Sequence, residues 1–316
     1  MPATLTEVAG PRHFIDLLDW EADELNKLLQ DALRMKKARR RGKDMPLKPR
    51  RVLGLIFEKP SLRTRVSFQT AMVHLGGASV FLSNHEVGLG QRESLADIAR
   101  TVSQFVDAVV LRTFKHETVV QFAHHATCPV INGLSDYYHP CQALGDLLTM
   151  RETLSQLAGK TVVFVGDGNN VARSLAIGCG KLGVRFVLSA PKGYGFDDRF
   201  LRTYSEFVPD GDLTEESDPA KAVKQADVIY TDVWASMGQE SETTQRQSDF
   251  AAHQVNSALM KKAPADARFM HCLPAHRGEE VTDEVIDGDA SVVFQQAGNR
   301  MHAEKALLKW VFAKGD

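Results

Sequence analysis

The feature that most constrains the fold is an alternation of short apolar runs with helix-periodic segments, which starts at Arg51. The run Val52–Phe57 is followed by a helical pattern over Ser61–Leu75, and the same order recurs up to Leu154. A second alternation starts at Thr161. Short apolar runs between periodic helices are typical of parallel strands that helices cover on both faces. We therefore predict an α/β protein with two lobes, each a mostly parallel sheet flanked by helices, with an active-site cleft between them.

The remaining predicted elements of the first lobe are the strands Ser79–Leu82, Ala108–Leu111 and Pro129–Asn132 and the helices Ser94–Phe105, Thr118–Ala126 and His139–Leu154. Those of the second lobe are the strands Thr161–Val165, Arg185–Ser189, Val228–Thr231, Arg268–His271 and Ser291–Phe294. A last amphipathic helix spans Met301–Phe312. We place the domains at residues 1–150 and 151–300, with a hinge along His139–Leu154. The polar stretch Glu240–Asp249 predicts a mobile loop.

Composition excludes several classes of protein. A chain of 316 residues suits two domains, and a formal net charge of -2 gives no overall bias toward nucleic acid or membrane. The basic run Lys36–Arg41 is short and ends a helix, so we interpret it as a solvated face. Met1–Asp19 lacks the apolar core of a signal peptide, and we expect a cytoplasmic protein. The four cysteines include no Cys-x-x-Cys pair, so neither a disulfide framework nor a metal site is expected.

The segment Ser61–Arg65 combines several features that bind anions. It follows the strand Val52–Phe57 and opens a helix, so free backbone N–H groups and the positive end of a helix dipole meet Arg63 and Arg65. The plainer alternative is that Ser61 caps the helix and both arginines are solvated. Ligands of such sheets bind outside the carboxyl ends of the strands. The other strand ends must therefore decide between the two interpretations.

Every other strand end of the first lobe is also polar or basic. Arg112 follows Ala108–Leu111, and His139 and Gln142 follow Pro129–Asn132 at a helical spacing that puts them on one face. Alone, Arg112 would fit a structural ion pair, and His139 would fit a helix-start residue satisfied by backbone. Together they indicate an oxygen-rich, negatively charged ligand.

The second lobe contains an incomplete dinucleotide motif. Gly166 and Gly168 follow the strand Thr161–Val165, but Val171 occupies the place of the third glycine, and no acidic residue ends the next strand. An NAD-dependent dehydrogenase is therefore disfavoured. Asn169 and Asn170 suit a small polar ligand, although asparagine is also a common turn former.

Two further strand ends offer a carboxylate and a thiol. Asp232 could hold an ammonium group, and Cys272 is either a small buried hydrophobe or a reactive group. A cysteine hydrolase is a weak alternative, because the adjacent His271 points to the opposite face of its strand.

Four segments together resemble the aspartate/ornithine carbamoyltransferase superfamily, in the family's order and spacing over most of the chain. They are Ser61–Arg65, His139–Gln142, Asp232–Gly238 and His271–Pro274. The Ser236-Met237-Gly238 loop and the His271-Cys272-Leu273-Pro274 segment resemble the ornithine branch rather than the aspartate branch.

The resemblance implies two binding sites. The implied carbamoyl phosphate ligands are Ser61, Leu62 through its backbone, Arg63, Thr64, Arg112, His139, Gln142, Cys272, Leu273 and Arg300. The implied ornithine ligands are Asn170, Asp232, Ser236 and Met237. Among these residues, Arg112, His139, Cys272 and Arg300 are implied to be catalytic, and Arg300 stands just before the last helix. In the family that helix, here residues 301–316, packs back on the first lobe.

Two departures from the family pattern change what individual residues can do. Leu62 stands where the family usually has threonine, so only its backbone N–H can serve phosphate. Gly88 stands where the family often has a glutamine that acts across a subunit boundary, and Gln91 or Arg92 is the alternative.

The implied reaction is attack of the δ-amine of L-ornithine on carbamoyl phosphate, through a tetrahedral intermediate, to give L-citrulline and phosphate. It serves arginine biosynthesis or arginine degradation, needs no cofactor or metal, and involves neither nucleic acid nor membrane. We expect a homotrimer or a higher assembly of trimers. Arg112, Thr64 and His139 would stabilise the oxyanion, and Arg63 the departing phosphate. Asp232 would hold the α-ammonium, with deprotonation of the δ-amine left to desolvation and Cys272.

Overall fold

The computed structural model describes residues 10–235 and 240–313, and it contains two lobes, each built on one parallel sheet. The first lobe comprises α1 (Ala22–Arg40), β1 (Val52–Phe57), α2 (Leu62–His74), β2 (Ala78–Ser83), α3 (Asn84–Val87), α4 (Leu95–Val102), β3 (Ala108–Arg112), α5 (His116–His125), β4 (Val130–Leu134) and α6 (Pro140–Leu154). Then follow β5 (Thr161–Val165), α7 (Asn170–Lys181), β6 (Arg185–Ser189), α8 (Asp198–Phe207), β7 (Leu213–Glu215), α9 (Pro219–Ala222), β8 (Val228–Thr231), α10 (Thr243–Phe250), α11 (Ser257–Met260), β9 (Arg268–His271), α12 (Asp283–Ile286) and α13 (Val293–Phe312). The predicted α/β class with two lobes is confirmed.

The first sheet has the strand order β2-β1-β3-β4, and every pair is parallel. Strands β1 and β3 are its centre, and their apolar residues are buried on both faces. In the pairing register Phe57 lies opposite Arg112, so these two strands end side by side. The loops that open α2 and follow β3 therefore meet at one edge.

The second sheet has the order β7-β6-β5-β8-β9 and is also parallel. Its order reverses at β5, where β6 lies on one side and β8 on the other. In open α/β sheets such a point is where ligands bind, outside the carboxyl ends of the strands. Asn169 follows β5, Asp232 follows β8 and Cys272 follows β9, so the register gathers these three residues at that edge.

The last helix, α13, joins the two lobes. It follows the second lobe in the chain, yet it packs mainly on α6, α1 and α2 and only slightly on β9. It starts at Val293, earlier than the predicted Met301, and it therefore contains Arg300. The predicted strand Ser291–Phe294 is wrong: only Ser291 pairs, as an isolated bridge to Phe269, because Val293 is already buried as the first residue of the helix.

Two other expectations need correction, and one strand was not predicted. The stretch Glu240–Asp249 is mostly helical rather than a loop, because Arg246 bonds Asp167 and Glu242 while Phe250 packs on Trp234. No sequence pattern predicts the three-residue strand β7, which is only half-buried. Lys36 is not solvated, because its ammonium group bonds Glu152 and Asn299 in the interior.

Among residues 10–235 and 240–313, no helix has the length and apolar character needed to cross a membrane.

Candidate active site

The amino end of α2 has the geometry that the sequence predicts for an anion site. Ser61 caps the helix, and its hydroxyl accepts a hydrogen bond from the Thr64 N–H at 3.2 Å. The helix has no acidic residue in its first turn, so nothing on the helix itself neutralises the positive end of its dipole. Leu62 is 74% exposed, and because its side chain has no polar atom, only its backbone N–H could bond an anion.

Three guanidinium groups converge beside this helix end. Burial lowers the pKa of Arg63, and burial followed by repulsion from Arg300 and Arg63 lowers the pKa of Arg112 to about 10. The Nε atoms of Arg112 and Arg300 are buried without a hydrogen-bond partner among the described residues. Buried cations that repel one another and lack acceptors are unfavourable until an anion satisfies them.

His139 adds a neutral donor to this group of cations. Its pKa lies well below the ordinary value, because the ring is buried and because Arg300, Arg112 and Arg63 repel a further positive charge. Its Nδ1 has no partner within the described parts of the chain. The His139 backbone N–H donates to the Ser174 hydroxyl at 2.8 Å, so a residue of the second lobe fixes the start of α6.

Arg300 is held from both sides. Its Nη2 donates to Thr64 Oγ1 at 3.0 Å and to Glu304 Oε1 at 3.2 Å. Burial raises the pKa of Glu304 to about 7, against the opposing effects of Arg300 and Ser67. Arg300 thus contacts Thr64 of the first lobe from within α13 rather than from the loop before it, and its substrate-binding role stays a prediction.

Gln142 faces a buried carboxylate network. Its Nε2 donates to Asp146 Oδ1 at 2.8 Å, and the same oxygen accepts from Gln296 Nε2 at 2.7 Å. The Tyr230 hydroxyl donates to Asp146 Oδ2 at 3.1 Å. Burial raises the pKa of Asp146 to about 6 despite these donors. One carboxylate of α6 therefore ties the first lobe to β8 and α13.

The second lobe places a thiol on a carboxylate. Cys272 Sγ donates to Asp232 Oδ1 at 2.9 Å, and Asn169 Nδ2 donates to Asp232 Oδ2 at 3.0 Å. Burial, followed by the adjacent Asp232 charge, raises the pKa of Cys272 well above its ordinary value. A thiol in this setting stays protonated, so the alternative of a cysteine nucleophile finds no support.

The two asparagines of the β5–α7 turn have different roles. Asn169 caps α7, because its Oδ1 accepts from the N–H groups of Val171 and Ala172, both at 3.0 Å. Asn170 Nδ2 instead donates across the cleft to the Ser135 carbonyl at 2.6 Å. Asn170, the predicted ligand, is thus the one whose amide reaches the first lobe.

Leu273 lies at the junction, with a backbone φ of 58° that non-glycine residues seldom adopt. Ser236 and Met237, the other two predicted ornithine ligands, lie outside the described residues. Gln91 and Arg92 are exposed on the first lobe, and Arg92 packs against Gly88. The substrate-binding roles of all these residues stay predictions.

The described residues also bear on cofactors and metals. A dinucleotide would need an open glycine turn after β5. Here Gly168 packs closely on Gly195, since a Cβ added to Gly168 would lie 2.8 Å from the Gly195 backbone, and Asp167 is bonded to Arg246 at 2.7 Å. Asp232, His271 and Cys272 bring ligand atoms within 4.8 Å of one another. The thiol already donates to Asp232, so these groups hold each other. The expectation of no cofactor or metal stays a prediction.

Sequence reasoning missed the residues that support the site. Glu304 lies four positions after Arg300, and Asp146 four positions after Gln142, which is the spacing of neighbours on a helix face. That spacing was the available signal. Glu280 and Gln296 carried none, because tertiary packing alone brings them to β9.

Sequence profiles of one family match both lobes. Residues 12–152 match the profile described as "Aspartate/ornithine carbamoyltransferase, carbamoyl-P binding domain", and residues 158–311 match "Aspartate/ornithine carbamoyltransferase, Asp/Orn binding domain". The chain belongs to the aspartate/ornithine carbamoyltransferase family. The resemblance seen in the four segments is thereby confirmed.

Relatives within the aspartate/ornithine carbamoyltransferase family cover nearly the whole chain. The ornithine carbamoyltransferase of Anoxybacillus flavithermus is 47% identical over 98% of this chain and 99% of its own. The Pyrococcus furiosus protein named "Ornithine carbamoyltransferase, anabolic" is 49% identical over 97% of this chain and 98% of its own. The solved ornithine carbamoyltransferase structure from Pyrococcus furiosus superposes with a TM-score of 0.91 at 49% identity, covering 95% of this chain and 96% of that one. The solved ornithine carbamoyltransferase structure from Thermus thermophilus superposes with a TM-score of 0.85 at 42% identity, covering 96% of this chain and 99% of that one.

Proposed function

We propose that the protein transfers the carbamoyl group of carbamoyl phosphate to the δ-amine of L-ornithine, giving L-citrulline and phosphate. The observation that carries this proposal is the pairing of two unlike sites across one cleft. Three guanidinium groups and a neutral imidazole lie at the amino end of α2, and the Asp232 carboxylate with its thiol partner lies opposite. The first suits an acyl phosphate, and the second suits an amino acid.

The proposed phosphate site uses Ser61, Arg63, Thr64 and the backbone of Leu62. A phosphate at the amino end of α2 would accept hydrogen bonds from its free N–H groups and from Arg63. Arg63 also lies within electrostatic range of Cys272 and Asp232, so it faces the second lobe. Phosphate bound there would leave its acyl group pointing toward the opposite side of the cleft.

The proposed carbonyl site uses Arg112, His139 and Arg300, with Gln142 beside them. When the amine attacks, a C–N bond forms and the carbonyl oxygen takes negative charge; the C–O bond to phosphate then breaks, and phosphate leaves with the electron pair. The unpartnered Arg112 and Arg300 nitrogens are suited to stabilise that oxygen. A neutral His139 donates one hydrogen bond without adding to the repulsion among the cations. Cys272 and Leu273 would border this site from the second lobe.

The proposed acceptor site centres on Asp232, which holds the α-ammonium of ornithine, with Asn170, Ser236 and Met237. Cys272 is a protonated thiol that donates to Asp232, so it restrains that carboxylate rather than acting as a thiolate base. The δ-ammonium group has an ordinary pKa of about 10, and desolvation in the closing cleft favours its neutral form, so one proton leaves to the solvent. After the attack the nitrogen is positively charged, and it gives a second proton to the departing phosphate.

The deciding experiment is an assay of carbamoyl transfer from carbamoyl phosphate, followed by the ureido product and by phosphate release, run in parallel with ornithine, N-acetylornithine, putrescine and aspartate. We expect ornithine to give the highest kcat/KM, since Asp232 would hold the α-ammonium and leave the δ-amine free to attack. N-acetylornithine and putrescine lack the α-ammonium of an amino acid, and aspartate has no second amine. Faster turnover with any other acceptor would overturn the choice of ornithine. Absence of carbamoyl transfer to all four would overturn the reaction class.

The physiological setting and the assembly belong to the same proposal. One relative carries the word "anabolic" in its name, which supports arginine biosynthesis rather than arginine degradation. A homotrimer, or a higher assembly of trimers, is supported by exposed apolar residues on α2 and the edge strand β2, namely Leu62, Val66, Val73 and Val80. Light scattering coupled to gel filtration measures the assembly. The cytoplasmic location stays a prediction.

A further inference from the structure

The backbone at Leu273 is in a conformation that something must hold. Leu273 follows Cys272 directly after β9, and its φ of 58° lies in the left-handed region that side chains other than glycine disfavour. Such conformations persist where surrounding contacts fix them, and they cluster at ligand sites. Whatever fixes Leu273 therefore also sets the position of the cleft wall beside Cys272.

A contact that holds this conformation comes from His271, two residues earlier in the chain. The Leu273 N–H donates to His271 Nδ1 at 2.9 Å. A ring nitrogen that accepts a hydrogen bond carries no proton, so the proton of a neutral ring must be on Nε2. His271 Nε2 lies 3.1 Å from Glu280 Oε1, and a carboxylate oxygen is the acceptor that an Nε2–H requires. Glu280 thus selects the tautomer that Leu273 needs.

Glu280 also closes the segment that His271 begins. The same Oε1 accepts from the His276 N–H at 2.6 Å, and both the His271 and Glu280 side chains are fully buried. The two residues therefore hold the segment 272–280 from inside the lobe. The His271 N–H donates to Gln296, whose amide in turn donates to Asp146, so this support continues into the network that joins the lobes.

His271 has no ring nitrogen left for a substrate. One ring nitrogen lies within 4.8 Å of Cys272 Sγ and of an Asp232 oxygen, but the ring is fully buried and both its nitrogens are engaged by Leu273 and Glu280. Its contribution to the reaction must therefore pass through the backbone of its neighbours. This separates it from Cys272, whose thiol contacts Asp232 at the cleft.

We propose that His271 is a positioning residue, whose neutral form with the proton on Nε2 holds the Leu273 backbone and the adjacent Cys272 in the geometry that carbamoyl transfer uses. The inference deepens the proposed function, and it rests on that function wherever turnover is the measurement.

The test compares two substitutions that each keep one half of the imidazole. In His271→Asn the side-chain oxygen can take the place of Nδ1 and still accept from Leu273. In His271→Gln the side-chain amide can take the place of Nε2 and bond Glu280, but nothing accepts from Leu273. We expect kcat/KM for citrulline formation to stay within about tenfold in the Asn variant and to fall about 100-fold in the Gln variant, mainly in kcat, because displacement of reacting groups lowers the rate.

His13 provides a matched control. Its Nδ1 also accepts from a backbone N–H, that of Val130 at 3.1 Å, but at the amino end of β4, the end of the sheet away from the cleft. His13→Asn and His13→Gln should change the urea midpoint of unfolding without separating in kcat. Equal losses of activity in the two His271 variants, in proportion to their losses of stability, would reduce His271 to a structural role and overturn the proposal. Better activity in the Gln variant would overturn it as well.

A second measurement needs no turnover. Nitrogen-15 NMR of histidine-labelled protein reports which ring nitrogen carries the proton, and we expect Nε2 for His271, identified by its loss in the Asn variant. A proton on Nδ1 would overturn the proposal. Failure of the wild-type chain to form citrulline would instead contradict the proposed function, so the two failures are distinguishable.

Discussion

The amino ends of α2 and α7 have the same local structure but different surroundings. Each follows the central strand of a parallel sheet, and each is capped by a polar side chain, Ser61 in one lobe and Asn169 in the other. Around α2 lie arginines whose nitrogens are partly unpartnered; around α7 the Asn169 amide already bonds Asp232. The helix end predicts where a ligand binds, and the surrounding charges decide which ligand it is.

The largest effect is expected when a charge is removed at the amino end of α2. Arg63→Ala should lower kcat/KM for carbamoyl phosphate by about 100- to 1000-fold, because one preorganised cation is lost from a poorly solvated site. The measurement is citrulline formation at subsaturating carbamoyl phosphate. Arg65→Ala is the matched control, because Arg65 is exposed and its guanidinium carbon lies 3.7 Å from the centre of the Phe81 ring. The activity of this variant should change only a few-fold. Unchanged activity in Arg63→Ala would remove Arg63 from the phosphate site.

The buried partner of Arg300 gives a second test, through pH. The folded-state pKa of Glu304 is raised to about 7 from an ordinary 4.5, so the folded protein binds this proton more tightly than the unfolded chain does. The resulting stability is present below pH 4.5 and is lost as the pH rises through 7. Relative to Glu304→Gln, the wild type should therefore lose up to about 3 kcal/mol of unfolding free energy over that range.

Urea unfolding of both proteins at pH 5 and pH 8 measures the Glu304 effect. Asp146 titrates in both proteins, so its contribution cancels in the difference. Stability curves that run parallel between the two pH values would show that Glu304 does not titrate as its burial implies. A wild-type stability that increases relative to Glu304→Gln from pH 5 to pH 8 would have the wrong sign.

The smallest expected effect separates the two asparagines of the α7 turn. Asn169→Ala removes an N-cap that serves two N–H groups, and it should lower the unfolding free energy by about 1 kcal/mol. Asn170→Ala should change stability by less than about 0.5 kcal/mol while raising the KM for ornithine. Urea unfolding measures the change in unfolding free energy, and citrulline formation at varied ornithine concentration measures the KM. Equal destabilisation by both substitutions would contradict the division of roles.

Sequence patterns predicted those parts of the fold that rest on local periodicity. The bounds of β1, β5, β6, β8 and β9 agree with the structure, because each is a compact apolar run between polar turns. The prediction failed where an apolar run could extend either a strand or a helix, as at Ser291–Phe294. It failed also for Glu240–Asp249, which is helical because Arg246 and Phe250 find partners far away in the chain.

Candidate site residues could be named from the sequence where they follow a strand, as Arg112 and His139 do, but residues that support them from the interior could not. The structure places Arg112, His139 and Arg300 close together, and their roles stay predictions. Glu304 and Asp146 escaped notice because a carboxylate in a sequence reads as a surface group, and only packing makes it a buried partner. The link between Leu273 and Glu280 through His271 depends on backbone geometry that residue types do not encode.

Helix α13 has a consequence for the order in which the site is completed. A chain is synthesised from its amino end, so β1, α2 and Thr64 leave the ribosome long before Arg300. The Arg300 bond to Thr64 then joins an early segment to one of the last to appear. A nascent chain that has folded as far as β9 presents only part of the cationic pocket. The proposed acyl phosphate, a labile compound, therefore meets its full set of ligands only on a finished polypeptide.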